Sequence, residues 1–109
     1  MIKVMLLLHR RSDVSLETFR QHWYGEHRAL VERLPGLRKL VFNEVLPAPD
    51  GAPSVCDGIA EDWFDTFEAM QAAMASPEGQ AVAADSAAFL DLARLQVVVV
   101  AETEVPLAV

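Results

Sequence analysis

A chain of 109 residues with sixteen acidic and nine basic side chains, net charge −7, is large enough for one hydrophobic core and too short for two. Its acidity argues against a nucleic-acid partner or an anionic membrane surface. The single cysteine, Cys56, rules out an internal disulfide and fits a reducing, cytoplasmic setting.

Ile2 to Arg10 reads as the first strand, apolar on both alternating faces apart from Lys3. The opening residues resemble the start of a signal peptide, but His9-Arg10-Arg11 cuts the apolar run short. No run in the chain reaches the length of a membrane span. Ser15 is positioned to cap a helix beginning at Leu16. At about 100° per residue, Leu16, Phe19, Trp23, His27, Leu30 and Leu34 share one stripe of that helix. His27 falls on the apolar face, about 40° from Trp23, whereas His22 points about 100° away. Pro35-Gly36 stops the helix.

Leu37 to Leu46 is the second strand, with Leu40 and Phe42 on one face and Val41 and Val45 on the other. The proline-rich stretch 47–53 is a loop. Val55 to Phe64 is the third strand. Asp65 and Glu68 form a capping box for a short helix with Phe67, Met70 and Met74 on one side. Ser76 and Pro77 then start a second, small-residue-rich helix as N-cap and first residue. Leu95 to Val105 is the last strand, centred on four consecutive valines.

The order βαββαβ specifies one α+β domain over residues 1–109, ferredoxin-like, with an antiparallel sheet. Helices cover one face of such a sheet, yet the first and last strands are apolar on both. Hydrophobic residues make up 52% of the chain, a surplus for one small core. A second copy is the simplest cover, giving a homodimer with its sheets face to face or closed into a barrel.

His27 carries the chemical interest. A neutral imidazole in an apolar pocket acts as a base or as a donor to a small ligand; a core histidine bonded to a backbone carbonyl is the other reading. In the third strand, alternation puts Asp57, Ile59, Glu61 and Trp63 on one face and Gly58, Ala60, Asp62 and Phe64 on the other. Glu61, between apolar neighbours, either orients His27 or pairs with a basic residue at the sheet edge. His9 ends the first strand, at a cleft mouth or simply in solvent. Trp23 and Trp63 are core residues or walls for a flat ligand. His22 and His27 sit five apart on different faces, and no phosphate cradle or nucleophile elbow is present, so neither a metal nor a cofactor is expected.

The opening strand, His22-Trp23-x-x-x-His27, Leu34-Pro35-Gly36-Leu37, Asp57-Gly58-Ile59-Ala60-Glu61-x-Trp63-Phe64-Asp65 and Ala75-Ser76-Pro77-Glu78-Gly79 together resemble the EthD family. That family is similar in fold to the dimeric α/β barrels and was first noted beside an ether-degrading monooxygenase system. Relatives on the same fold include a muconolactone isomerase and fungal polyketide decarboxylases and dehydratases. The resemblance implies a pocket between helix and sheet for a small, largely apolar, oxygenated ligand. It matches His27 to the family's most recognisable polar position, with Glu61 and Asp57 behind it. The chain departs at Ser12, where a proline is common, and at Asp62, where an apolar residue is expected; neither is expected to face the pocket.

Together these readings imply a cofactor-independent lyase or isomerase acting on a lactone, phenolic or polyketide-like compound. His27 is its general acid/base, Glu61 its orienter, and Trp23, Trp63, His9 and Asp57 line the substrate. The alternative is a non-catalytic homodimer that binds a metabolite for an oxygenase or ether-degradation pathway.

Overall fold

The computed structural model describes residues 1–108. Four strands, β1 (Ile2–Leu8), β2 (Lys39–Glu44), β3 (Gly58–Phe64) and β4 (Gln96–Ala101), form one antiparallel sheet in the order β2-β3-β1-β4. Helices α1 (Leu16–His22), α2 (Arg28–Val31), α3 (Phe67–Ala75) and α4 (Pro77–Phe89) complete the α+β, ferredoxin-like arrangement. No helix among the described residues is long and apolar enough to cross a membrane.

Strand register assigns the faces. Leu6 pairs with Ala60, Val4 with Asp62 and Ile2 with Phe64, so the even-numbered residues of β1 and β3 turn towards the helices. Lys3, Met5, Leu7, Ile59, Glu61 and Trp63 occupy the opposite, open face. The helix side holds two apolar clusters. One gathers Val4, Val31, Leu34, Phe64, Met70 and Ala73; the other gathers Leu8, Phe19, Trp23, Ala60, Phe89 and Leu90. Phe19 and Phe64 are wholly enclosed, each stabilising the fold by about 1.5–3 kcal/mol.

Ser15 caps α1 by accepting the Thr18 N–H at 3.1 Å, and Ser76 caps α4 by accepting the Gly79 N–H at 3.1 Å, with Pro77 behind it. Three local expectations are corrected. The cap of α3 is Thr66, which accepts the Ala69 N–H at 3.0 Å, because Asp65 is held by the Arg38 guanidinium at 2.8 Å. Ala73 joins Met70 in the core while Met74 and Phe67 are exposed. The strands are shorter than their apolar runs: β4 ends at Ala101, and β3 starts at Gly58.

The helix from Leu16 is not continuous α-helix. Trp23–His27 is a π-helical segment between α1 and α2, in which the Arg28 N–H reaches back to the Trp23 carbonyl. Such i→i+5 bonding adds a residue to the turn. Beyond it Val31 and Leu34 are buried, whereas Leu30, placed in the stripe by a regular helix, is only half-buried.

Candidate functional site

Gly58 and Ala60 are the small residues of β3 on its helix-facing side, and Trp23 lies over them. A Cβ at Gly58 would stand 2.7 Å from Trp23 Cη2 and Cζ3. The indole therefore reaches the sheet only because that position is glycine. Trp23 also stacks on Phe42, centroids 4.5 Å apart. One turn further along, His27 is buried at 7% exposure, with Phe89 4.9 Å from its ring centroid.

The π-helical segment aligns His27 with His22. His27 Nδ1 lies 2.8 Å from Asp85 Oδ2, and His22 Nε2 lies 2.9 Å from the same oxygen. Asp85 comes from α4, so it ties that helix to the π segment. Burial holds the His27 imidazole below its ordinary titration range, and Asp85 only partly offsets this. Burial works to raise the Asp85 carboxyl, but the bonds from His27 and His22 together outweigh it and hold it low. A neutral His27 donating Nδ1–H to a carboxylate satisfies both directions. That leaves Nε2 as an acceptor with no hydrogen-bond partner among the described residues.

His27 borders a cavity of about 40 Å³, at the junction of the two apolar clusters. Leu6, Leu8 and Ala60 form its floor, Trp23, Val31 and Phe42 its sides, and Val82, Ser86, Leu90 and Leu95 the rest of its wall. One acid lines it: Asp62, 6% exposed, whose Oδ1 is buried with no partner. Burial alone pushes this carboxyl up to about 7. Trp23 Nε1 is a second buried polar atom without a partner.

Of the residues singled out in the sequence, His27 and Trp23 share this cavity. Glu61 does not. It lies on the open face, accepting hydrogen bonds from Lys3 Nζ at 3.0 Å and Asn43 Nδ2 at 3.1 Å. The role of holding His27 falls to Asp85 instead. Trp63 is also on the open face, where its Nε1–H donates to Glu102 Oε1 at 3.0 Å and Lys39 Nζ sits 4.7 Å from its ring centroid. His9 and Asp57 line a separate groove of about 280 Å³ at the strand ends, with Arg10, Arg11, Arg94 and Cys56. There Asp57 accepts the Arg10 backbone N–H at 2.9 Å. Asp62, read as facing away from the pocket, faces into it. His22, Glu26 and Asp85 present donor atoms within 4.8 Å of one another, although His22 and Asp85 are already engaged with each other and with His27.

Three comparisons bear on this arrangement. An uncharacterized 11.0 kDa protein in the thcB–thcC intergenic region of Rhodococcus erythropolis is 29% identical over 89 residues, covering 82% of this chain and 84% of that one. The crystal structure of an ethyl tert-butyl ether d (EthD) family protein from Bacillus halodurans superimposes with a TM-score of 0.82 at 26% identity, covering 94% of this chain and 99% of that one. A dimeric ferredoxin-like protein of unknown function from Thermobifida fusca shares the fold, with a TM-score of 0.72 at 19% identity over 93% and 90% of the two chains. The EthD domain itself matches residues 11–93, a span that contains α1 with His22, the π segment with His27, β2, β3 and the whole of α4. By that match this chain belongs to the EthD family.

Proposed function

We propose that this protein binds a small, largely apolar, oxygenated compound and moves a proton on it without a cofactor, as an isomerase or lyase. His27 Nε2 is the base. The observation that carries the reading is the 2.8 Å contact between His27 Nδ1 and Asp85, which fixes the tautomer and leaves the second nitrogen free on a residue that lines an apolar cavity. Lactones, phenols and polyketide-like compounds combine an apolar body with the oxygen such a site would recognise.

The working unit in this reading is a homodimer in a reducing, cytoplasmic setting. Val98 of β4 is 47% exposed in the single chain, on the open face together with Met5, Leu7 and Ile59. A second sheet would cover that surface. Dimeric proteins share this fold, the Thermobifida fusca protein among them.

The cavity is lined mostly by apolar side chains, which suits binding without chemistry as well and favours a second reading: a non-catalytic helper that carries a metabolite for an oxygenase or ether-degrading pathway. One experiment separates the two. α-Angelica lactone, a small uncharged lactone whose ring double bond shifts by proton transfer, is incubated with the protein and followed by ultraviolet absorbance. The enzyme reading expects acceleration over buffer and its loss in His27→Gln. Equal binding by wild type and variant with no conversion supports the helper.

A further inference from the structure

Asp62 is a buried group to which the His27 reading gives no task. It projects from β3 between Val4 of β1 and Leu40 of β2. Its carboxyl receives no hydrogen bond among the described residues, and Oδ1 is fully enclosed. An ionised carboxylate in that position is strongly disfavoured, whereas a neutral carboxyl is tolerated and carries a proton to donate. The cavity it borders is the one that His27 borders, and all the other lining side chains are uncharged.

We propose that Asp62 is the acid of this cavity, donating its proton to the carbonyl oxygen of an uncharged, enolisable ketone, ester or lactone while His27 takes a proton from the adjacent carbon. The inference rests on His27 acting as the base. In the step, the C–H bond breaks and its proton passes to His27 Nε2. The electron pair becomes the C=C bond of an enol, and the carbonyl π pair moves onto oxygen and takes the Asp62 proton. Imidazolium and carboxylate remain, and their charges cancel. Return of the His27 proton to a different carbon, with the enol proton going back to Asp62, completes an isomerisation.

The electrostatics agree with this division. Burial raises the Asp62 carboxyl to about 7 and lowers the His27 imidazole, so just below neutrality an acid that keeps its proton shares the cavity with a base that lacks one. The lining contains no Lys or Arg. A ligand carboxylate would bring an uncompensated negative charge into the cavity, with Asp85 behind His27 adding to the repulsion. The substrate class is therefore neutral carbonyl compounds.

The test uses the intact protein, α-angelica lactone as probe, and the variants Asp62→Asn, Asp62→Leu and His27→Gln, with circular dichroism to verify folding. The expected result is a drop in kcat of about 10²–10⁴-fold in Asp62→Asn, with KM changed less than about threefold. Wild-type kcat falls as pH rises through the Asp62 titration, and the variant lacks that limb. If both Asp62 variants keep the wild-type rate while His27→Gln abolishes it, the Asp62 proposal fails and the His27 reading stands. If wild type shows no acceleration, or His27→Gln leaves the rate unchanged, both fail. Should the variants not fold, ¹³C titration of the wild-type carboxyls decides, because an Asp62 midpoint in the ordinary carboxylate range overturns the proposal.

Discussion

His22 and His27 close on one oxygen of Asp85, at 2.9 and 2.8 Å, although five residues separate them. In a regular α-helix that spacing turns two side chains about 140° apart. The extra residue of the π-helical turn removes most of the difference. The local geometry of the helix, not tertiary distortion of side chains, builds the two-histidine grip.

Asp85→Asn should therefore loosen the site from behind. Asp85 raises the His27 titration against the dominant effect of burial, so neutralising it moves the His27 midpoint further down. NMR titration of the His27 ring protons reads this directly. The variant should also lose about 1–3 kcal/mol of stability as a charge-assisted bond is replaced. A midpoint that rises would refute the assigned polarity of the pair.

The pH dependence of stability should reveal Asp62. Its folded titration, about 7, lies above the ordinary 3.8, so between the two the unfolded chain releases a proton the folded one keeps. Stability contributed by this group is complete below 3.8 and declines as pH rises. Over the window from 3.8 to about 7 the loss is on the order of 4 kcal/mol at about 1.4 kcal/mol per pH unit. Asp62→Asn abolishes that slope, so its melting temperature relative to wild type should climb from pH 5 to about pH 7 and level off above it. His27 acts in the opposite sense: its lowered titration makes stability rise with pH up to about 6.5. The comparison with Asp62→Asn isolates the carboxyl from that background.

Gly58→Ala should destabilise the fold, although alanine normally restricts the unfolded chain favourably. The added Cβ meets the Trp23 ring at 2.7 Å on two atoms, and the indole is fixed by Phe42 and Phe19. A loss of about 1–3 kcal/mol is expected for such overpacking, together with a change in tryptophan emission. Unchanged thermal stability and emission would mean that the indole moves freely.

Oligomeric state follows from the open face. Val98→Glu places a charge among Met5, Leu7 and Ile59 without touching the helix side. Light scattering at micromolar concentration should give a dimer for wild type and a monomer for the variant. A wild-type monomer at that concentration would remove the dimer proposal. An obligate dimer of this kind buries above about 2,000 Å².

The order of elements was legible in the sequence because each long apolar run had one plausible partner period and clear caps, as at Ser15 and Ser76. Trp23 and His27 were legible because they sit four apart, a spacing that faces the core with or without the π turn. Glu61 was misplaced because alternation fixes which residues share a face but not which face meets the helix. The clue lay in the small residues Gly58 and Ala60, which alone leave room beneath the Trp23 indole. That side carries Asp62 with it. Asp85 had no local signal: it sits in a run of alanines, and its partnership with His27 spans 58 positions.

The cavity occupies a fault line. The helix side of the sheet is consolidated in two blocks, one around Phe64 and Met70 and one around Phe19 and Phe89, bridged by Leu6, which packs against both. The same strands serve both blocks, Val4 and Leu8 from β1 and Ala60 and Phe64 from β3, so the ladder holds the two in register across the line. The resting volume between the blocks is therefore set chiefly by side chains, with Leu6 the one that touches both, and Leu6→Ala would enlarge it without cutting the ladder.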